Sequence, residues 1–334
     1  MDPTRHRRLV AFRRALPCFL GAVMLTVPHQ GAAQTAAVYG GTVYARDTGS
    51  NRSRTFALDY VEPVSERFAI GFLYLNEGHL EGHHRDGFGA QAWLRTPPLV
   101  RGLRLAIGGG PYFHFDTATT NRPEYANRHG WGVVYGVAAS MPLADRWSLE
   151  LKLNRVVARD RFDTHVALLG IGYRLDARPG RDIAGAYGDG RRNREITLLA
   201  GQTIVNSFAS ERDTAVSLEY RHTVSPHVEW TATWLNEGEP KLISRKGLAA
   251  QAWLARSALD DRLRFGIGLG PYFALDRRHA DLTGESERQF AGLVSLSARY
   301  RITPRWHARA TWHRVLADYH RDTDVLLLGA GYSF

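Results

Sequence analysis

The sequence predicts an all-β protein with an antiparallel transmembrane β-barrel fold: two tandem eight-stranded barrels, or alternatively one sixteen-stranded barrel. Three observations carry this. Apolar and polar residues alternate with a period of two, so that Leu103, Leu105, Ile107, Phe113 and Phe115 share one face while Arg104, Ala106, Gly108, Gly110, Tyr112, His114 and Asp116 share the other. The apolar face carries aromatics at its ends (Phe68, Tyr74, Trp147, Trp230, Trp234, Trp306, Trp312), and short connections alternate with longer polar ones, as membrane barrels require. Finally, the chain is written twice: YLNEGHLEGHHRDGFGAQAWL from Tyr74 returns as WLNEGEPKLISRKGLAAQAWL from Trp234, 160 positions on. LRLAIGGGPYFHFD (Leu103) likewise returns as LRFGIGLGPYFALD (Leu263), and RVVARDRFDTHVALLGIGYRL (Arg155) as RVLADYHRDTDVLLLGAGYSF (Arg314).

Residues 1–33 read as a secretory leader: five arginines (Arg5, Arg7, Arg8, Arg13, Arg14), an apolar run from Ala15 to Val27, and small residues Gly31-Ala32-Ala33 before the expected cleavage. The apolar run is shorter than the roughly 20 residues of a spanning helix. Cys18, the single cysteine, leaves with this segment, so no disulfide or thiolate chemistry is expected in the mature chain. Loss of five Arg and one Asp lowers the net charge from +10 to +6. That balance suits anionic lipid or polysaccharide and gives no argument for nucleic acid.

The first unit, 35–175, divides into eight strands near 36–46, 54–62, 67–76, 86–96, 102–116, 129–141, 146–156 and 164–175. Trp147, Leu149, Leu151 and Leu153 alternate with Ser148, Glu150, Lys152 and Asn154 in the seventh. Pro63–Arg67 and Pro142–Arg146 mark short turns at one end, whereas Asp47–Ser53, Glu77–Arg85 and Thr117–Arg128 are read as longer polar loops at the other. The stretch 176–194, DARPGRDIAGAYGDGRRNR, is a linker without periodicity. A hairpin inside one continuous sheet does not need nineteen residues, which favours two barrels over one. The second unit, 195–334, repeats the eight strands; Val216, Leu218 and Tyr220 alternate there with Ser217, Glu219 and Arg221.

The chain ends on Gly331-Tyr332-Ser333-Phe334, with Tyr332 and Phe334 on one face. This resembles the C-terminal signature of Gram-negative outer-membrane β-barrel proteins. The resemblance implies an outer-membrane location, contact with outer-membrane lipid and lipopolysaccharide, and recognition of the Phe334 strand by the assembly machinery. In size and strand count each unit is also similar to the small-barrel lipid A 3-O-deacylases. The match places His313 at that family's base and Asp322 or Asp324 at its acid. Val315 stands where the nucleophilic serine belongs, and Asn154-Arg155-Val156 of the first unit lacks both His and Ser.

With the N-terminus periplasmic, residues distant in sequence converge at the extracellular rim. The candidate binding set there is Asn76, Glu77, Asp116, Arg155 and Asp163, followed by Thr164, repeated as Asn236, Glu237, Asp276, Arg314 and Asp322, followed by Thr323. Two readings apply: structural pairing inside the barrel, with Arg104 or Arg264 against Glu150, Asp59 or Glu219, or a ligand cleft in which Glu77 meets Arg155. Basic rim residues Arg85, Arg128, Arg161, Arg245, Lys246, Arg277 and Arg278 are expected to meet lipopolysaccharide phosphates. His79, His83 and His84 become Glu239, Ile243 and Ser244 in the second unit, so they read as a solvated loop rather than a metal site. Gly108–Gly110 opens no helix, which removes a phosphate loop. No catalytic residue, metal or cofactor is assigned. The expected function is structural or surface-interacting, with a pore or a deacylase-like hydrolase as alternatives.

Overall fold

The computed structural model describes residues 34–45, 52–119, 125–158, 162–175, 193–259, 261–277 and 288–334. The expected leader (1–33) and linker positions 176–192 lie outside the described residues, as do Arg161 and Arg278.

Alternating sequence becomes sixteen strands. The first eight are β1 (Thr35–Ala45), β2 (Arg52–Pro63), β3 (Phe68–Leu80), β4 (His83–Arg95), β5 (Arg104–Thr119), β6 (Tyr125–Pro142), β7 (Trp147–Ala158) and β8 (Thr164–Arg174). The second eight are β9 (Arg194–Val205), β10 (Arg212–Ser225), β11 (Val228–Asn236), β12 (Arg245–Ala258), β13 (Leu263–Asp276), β14 (Arg288–Arg301), β15 (Trp306–Leu316) and β16 (Thr323–Ser333). Each set is an antiparallel meander that closes on itself: β8 pairs with β1, placing Gly170 opposite Tyr39, and β16 pairs with β9, placing Gly329 opposite Leu199. The sixteen-stranded alternative is thereby overturned, because each unit's first and last strands satisfy each other's edge hydrogen bonds and leave none to join a common sheet.

The two faces are inverted relative to a water-soluble sheet. Outward side chains are apolar and exposed, including Val38, Ile107 and Leu169 on barrel 1 and Leu198, Leu248 and Leu328 on barrel 2, the last at 71%. Inward side chains are polar and buried: Asp59, Gln91, Glu150 and Lys152 in barrel 1, and Glu195, Glu219, Arg221, Glu229 and Arg309 in barrel 2. An apolar belt this extensive, wrapped around a charged interior, suits hydrocarbon outside and desolvated ion pairs inside. Asp59 and Lys152 of barrel 1 and the five barrel 2 charges are paired, as burial requires. Lys152 meets Asp59 in barrel 1, and Arg221 bridges Glu219 and Glu229 in barrel 2. The expected pairing of Arg264 with Glu219 is corrected: Arg264 donates to Glu229 at 2.5 Å, and Glu219 pairs with Arg221. Glu150 and Asp59 are likewise not partners of Arg104; Glu150 accepts from Ser140 and Ser148.

The second outer connection is also corrected. Instead of a loop over Glu77–Arg85, β3 runs on to Leu80 and β4 starts at His83, joined by Glu81-Gly82. A register shift between Asn76 and His79 absorbs the irregularity. Gly78 takes φ +72° there, and its N–H is capped by the Asn76 side-chain oxygen at 2.9 Å. Gly238 and Asn236 repeat this in barrel 2, with φ +74° and 3.1 Å. A Cβ on Gly78 lies 2.1 Å from the Arg54 carbonyl oxygen, so both φ and space demand glycine.

Candidate functional site

Glu77 continues the inward parity of Leu73 and Leu75, and the bulge at Gly78 sets it opposite Arg85 before the strand changes face. The two form a bidentate pair: Nε to Oε1 at 2.8 Å and Nη2 to Oε2 at 2.6 Å. Arg85 also donates to the Phe162 carbonyl (2.9 Å) and Thr164 hydroxyl (3.1 Å), and Tyr112 donates to Glu77 (3.2 Å). In barrel 2, Arg245 holds Glu237 through Nε (2.5 Å) and Nη2 (2.7 Å), with Thr323 (2.8 Å) and the Arg321 carbonyl (3.1 Å) completing the set. Glu77, Glu237 and both guanidinium groups are buried. Each lumen is therefore knotted shut just below its rim, above an apolar layer that contains Leu73, Leu75 and Tyr112 in barrel 1.

This corrects two expectations. Arg85 and Arg245 are lumenal and carboxylate-bound, not rim cations, because they share the inward parity of Trp93 and Trp253 on their strands. Glu77 meets Arg85, not Arg155; Arg155 points outward and pairs with Asp163 at 2.8 Å on an exposed surface. Asp116 lies at the rim with His83 Nδ1 at 3.0 Å, and Asp276 accepts from Tyr319 (2.9 Å) and the Ser244 N–H (3.1 Å). Burial pushes the loop phenol Tyr319 above its ordinary pKa, keeping it a donor. The histidines do not converge: His83 sits on Asp116, while His79 and His84 stack at 4.2 Å.

Arg314, the counterpart of Arg155, also points outward, but it is buried against barrel 1. It bridges Asp86 of β4 and Asp324 of β16, the latter at 2.6 Å. Tyr74 donates to Asp86 (3.2 Å), Trp312 donates to Asp324 (2.7 Å), and the Tyr74 and Trp312 rings meet edge-on at 4.7 Å. Phe88 and Phe115 of barrel 1 pack with Val294 and Leu316 of barrel 2 around this bridge. At the rim the seam continues through His129 with Asp322 and through the Asn127 side chain on the Asn206 carbonyl (2.8 Å). At the opposite end Arg256 donates to Glu62 at 2.9 Å. Tyr74 and Trp312 are thus seam residues rather than lipid-facing girdle, while Phe68, Trp147, Trp230, Trp234 and Trp306 remain exposed outward. The signal for the seam is present in sequence: Asp86, Arg314 and Asp324 occupy outward parity among apolar residues, where an unpaired charge is costly.

On the free side of barrel 1, direct cross-strand pairing sets Arg52, Tyr44, His165, Arg155 and Tyr135 in one outward row across β2, β1, β8, β7 and β6. Arg54 stands two positions below Arg52 on the same face, and it too is exposed. The corresponding row of barrel 2 (Arg212, Ile204, Asp324, Arg314, Val294) contains the residues that dock barrel 1.

The deacylase correspondence does not hold. His313 faces the sealed lumen with no exposure and hydrogen-bonds the Ser295 hydroxyl of β14 at 2.6 Å, so no substrate reaches it.

No known family model matches the chain, and no curated protein matches it. Among solved structures, the N-terminal β-barrel domain of Pseudomonas aeruginosa OprF is similar at 13% identity, covering 43% of this chain and 98% of its own, with a TM-score of 0.35. Ail, the attachment invasion locus protein of Yersinia pestis, is similar at 13% identity, covering 43% of this chain and all of its own, with a TM-score of 0.34. An outer membrane channel from Pseudomonas putida F1 is similar at 11% identity over 93% of this chain and 100% of its own, with a TM-score of 0.22. The chain itself folds as two closed eight-stranded antiparallel barrels in tandem, and the solved structures it resembles are outer-membrane β-barrel proteins.

Proposed function

We propose that this chain is an outer-membrane protein that works by surface contact with lipopolysaccharide and does not conduct solutes. The observation that carries the reading is the outward row Arg52–Tyr44–His165–Arg155–Tyr135, with Arg54 beneath it, on the face of barrel 1 that the seam leaves free. It stands at the loop end of the apolar belt, the level at which anionic headgroup phosphates lie, and guanidinium groups bind phosphate with paired hydrogen bonds. Tyrosines at that level suit an interface with one wet and one apolar side. Lys246 and Arg277 extend the basic rim on barrel 2. The knots around Glu77 and Glu237 support a non-conducting role, since neither lumen offers an open path past them.

The test is native mass spectrometry of protein extracted from outer membranes. Wild type is expected to retain lipopolysaccharide, and Arg52→Gln/Arg54→Gln/Arg155→Gln to lose most of it while keeping heat-modifiable migration. Equal retention by the triple variant, or recovery of the wild type in a soluble fraction, overturns the proposal. The terminal strand β16 and Phe334 are the proposed contact with the assembly machinery; deletion of Phe334 is expected to lower the yield of assembled protein.

A further inference from the structure

Barrel 1 contains a cavity of about 640 Å³ that opens at the end opposite the loops, beside the β2–β3, β4–β5 and β6–β7 turns. Tyr39, Trp93, Asp59 and Lys152 form its floor, with the Lys152 ammonium 4.8 Å from the Trp93 ring. The equivalent space in barrel 2 is about 10 Å³. The difference is written in the sequence. Thr35, Val61, Ala69, Ser140 and Glu150 of barrel 1 correspond to Glu195, Arg221, Glu229, Arg299 and Arg309, whose side chains fill barrel 2 with mutually paired charge.

What barrel 1 presents to this space is a set of donors only partly satisfied. Arg264 of barrel 2 is neutralised by Glu229; its counterpart Arg104 faces Ala69 at that position and pairs with no carboxylate among the described residues. Arg95, where barrel 2 has Ala255, adds a second guanidinium whose charge opposes that of Arg104. Its Nη2 donates to the Ser65 carbonyl at 2.9 Å, whereas its Nε is buried without a hydrogen-bond partner. Trp253 donates to Thr231 at 2.9 Å, but Trp93, itself 3% exposed, stands beside Gly71 and its indole N–H is unpartnered. Buried donors without acceptors are costly, and two adjacent guanidinium groups more so. Their shared complement is an acceptor-rich anion. One acceptor, the Asp59 Oδ1 atom, is also unpartnered at the floor.

We infer that this vestibule is a binding site for a small hydroxylated organic anion, its carboxylate or phosphate held by Arg104 and Arg95 and a hydroxyl available to Asp59. The geometry of the site stands on barrel 1 alone; that its mouth faces the periplasm rests on the outer-membrane reading. A failure of the lipopolysaccharide test therefore leaves this inference standing, and the reverse also holds.

The experiment is isothermal titration calorimetry on the full chain in phosphatidylcholine nanodiscs, with gluconate, glucose 6-phosphate and glucose as probes. At least one of the two anions is expected to bind with a stoichiometry of one per chain, and glucose is expected not to bind. Ala69→Glu imports the residue that neutralises Arg264 in barrel 2 and is expected to abolish binding. Arg104→Gln is expected to weaken it about tenfold or more, the worth of a charge-assisted hydrogen bond. Heat-modifiable migration verifies that each variant is folded. Absence of binding by both anions to folded wild type, or unchanged affinity in folded Ala69→Glu or Arg104→Gln, overturns the inference; a preference for gluconate over glucose 6-phosphate, or the converse, identifies the anionic group.

Discussion

Replacing Arg314 with Met removes the cation at the centre of the seam, whose guanidinium lies over the Phe115 ring, and leaves the Arg256–Glu62 pair at the opposite end in place. The Arg314 side chain is 5% exposed, and its partners Asp86 and Asp324 are 6% and 20% exposed, so both carboxylates are left largely desolvated in the seam. Breaking a buried pair by deleting one partner costs about 3–5 kcal/mol. At about 1.4 kcal/mol per decade, the docked-to-undocked ratio of the barrels falls by about two to four orders of magnitude. The linker continues to hold the barrels together, so the change appears as loosened docking rather than loss of either barrel. Nitroxides at Asp145→Cys and Arg305→Cys, in a Cys18→Ser background, report it by pulsed dipolar spectroscopy. Wild type is expected to give one narrow distance distribution, Arg314→Met a broad one, and Asp86→Asn/Arg314→Met/Asp324→Asn a narrow one again, because a neutral seam buries no unpaired charge. A narrow distribution in Arg314→Met refutes the assignment of the ion bridge as the lock.

Other outcomes follow from the same geometry. The seam joins unlike faces, β4 of one barrel to β15 of the other, and such a contact propagates unless its free ends mismatch. Here the free ends carry Arg155 and Lys246, where the seam has Arg314 and Asp86, so Lys246→Asp is expected to produce concentration-dependent association in analytical ultracentrifugation; a sedimentation coefficient that stays constant with concentration counts against the mismatch. Arg85→Met leaves Glu77 unpaired in the lumen and is expected to cost barrel 1 about 3–5 kcal/mol, read from urea unfolding of the assembled protein. Arg155→Met, at the exposed pair with Asp163, is expected to leave the midpoint of the same titration nearly unchanged, and equal losses contradict the assignment of Glu77 to Arg85. Gly78→Ala forces a Cβ against the Arg54 carbonyl at positive φ and is expected to lower stability by about 1–2 kcal/mol; an unchanged urea midpoint removes the steric argument.

The barrels were legible because period two is a local signal that survives every side-chain substitution of like polarity. Leu105 and Ile107 face out and Tyr112 and His114 face in, as the alternation dictates, and the sequence repeat reappears as two closed sheets of the same topology. Parity was readable and composition misleading at Arg85: the run EGHHRD looks like a polar loop, yet counting back by twos from Trp93 places Arg85 inside and Asp86 outside. On β3 the bulge at Gly78 interrupts the alternation, so that His79 and Leu80 change face relative to Leu75 and Glu77. The seam could not be located from one sequence, because the side of barrel 1 that meets Arg314 depends on how two barrels dock, although Asp86 and Arg314 advertised themselves as charges on apolar faces. The vestibule was hidden for a different reason: it arises from what Ala69, Gly71 and Ser140 fail to fill, and only comparison with Glu229, Thr231 and Arg299 in three dimensions shows the vacancy.

Conductance of the purified full chain in planar lipid bilayers tests the central claim most directly. Two closed barrels knotted by Glu77–Arg85 and Glu237–Arg245 are expected to insert without discrete current steps. Reproducible unitary steps, persisting at protein levels where one chain inserts at a time, would contradict a sealed pair of barrels acting through its surface.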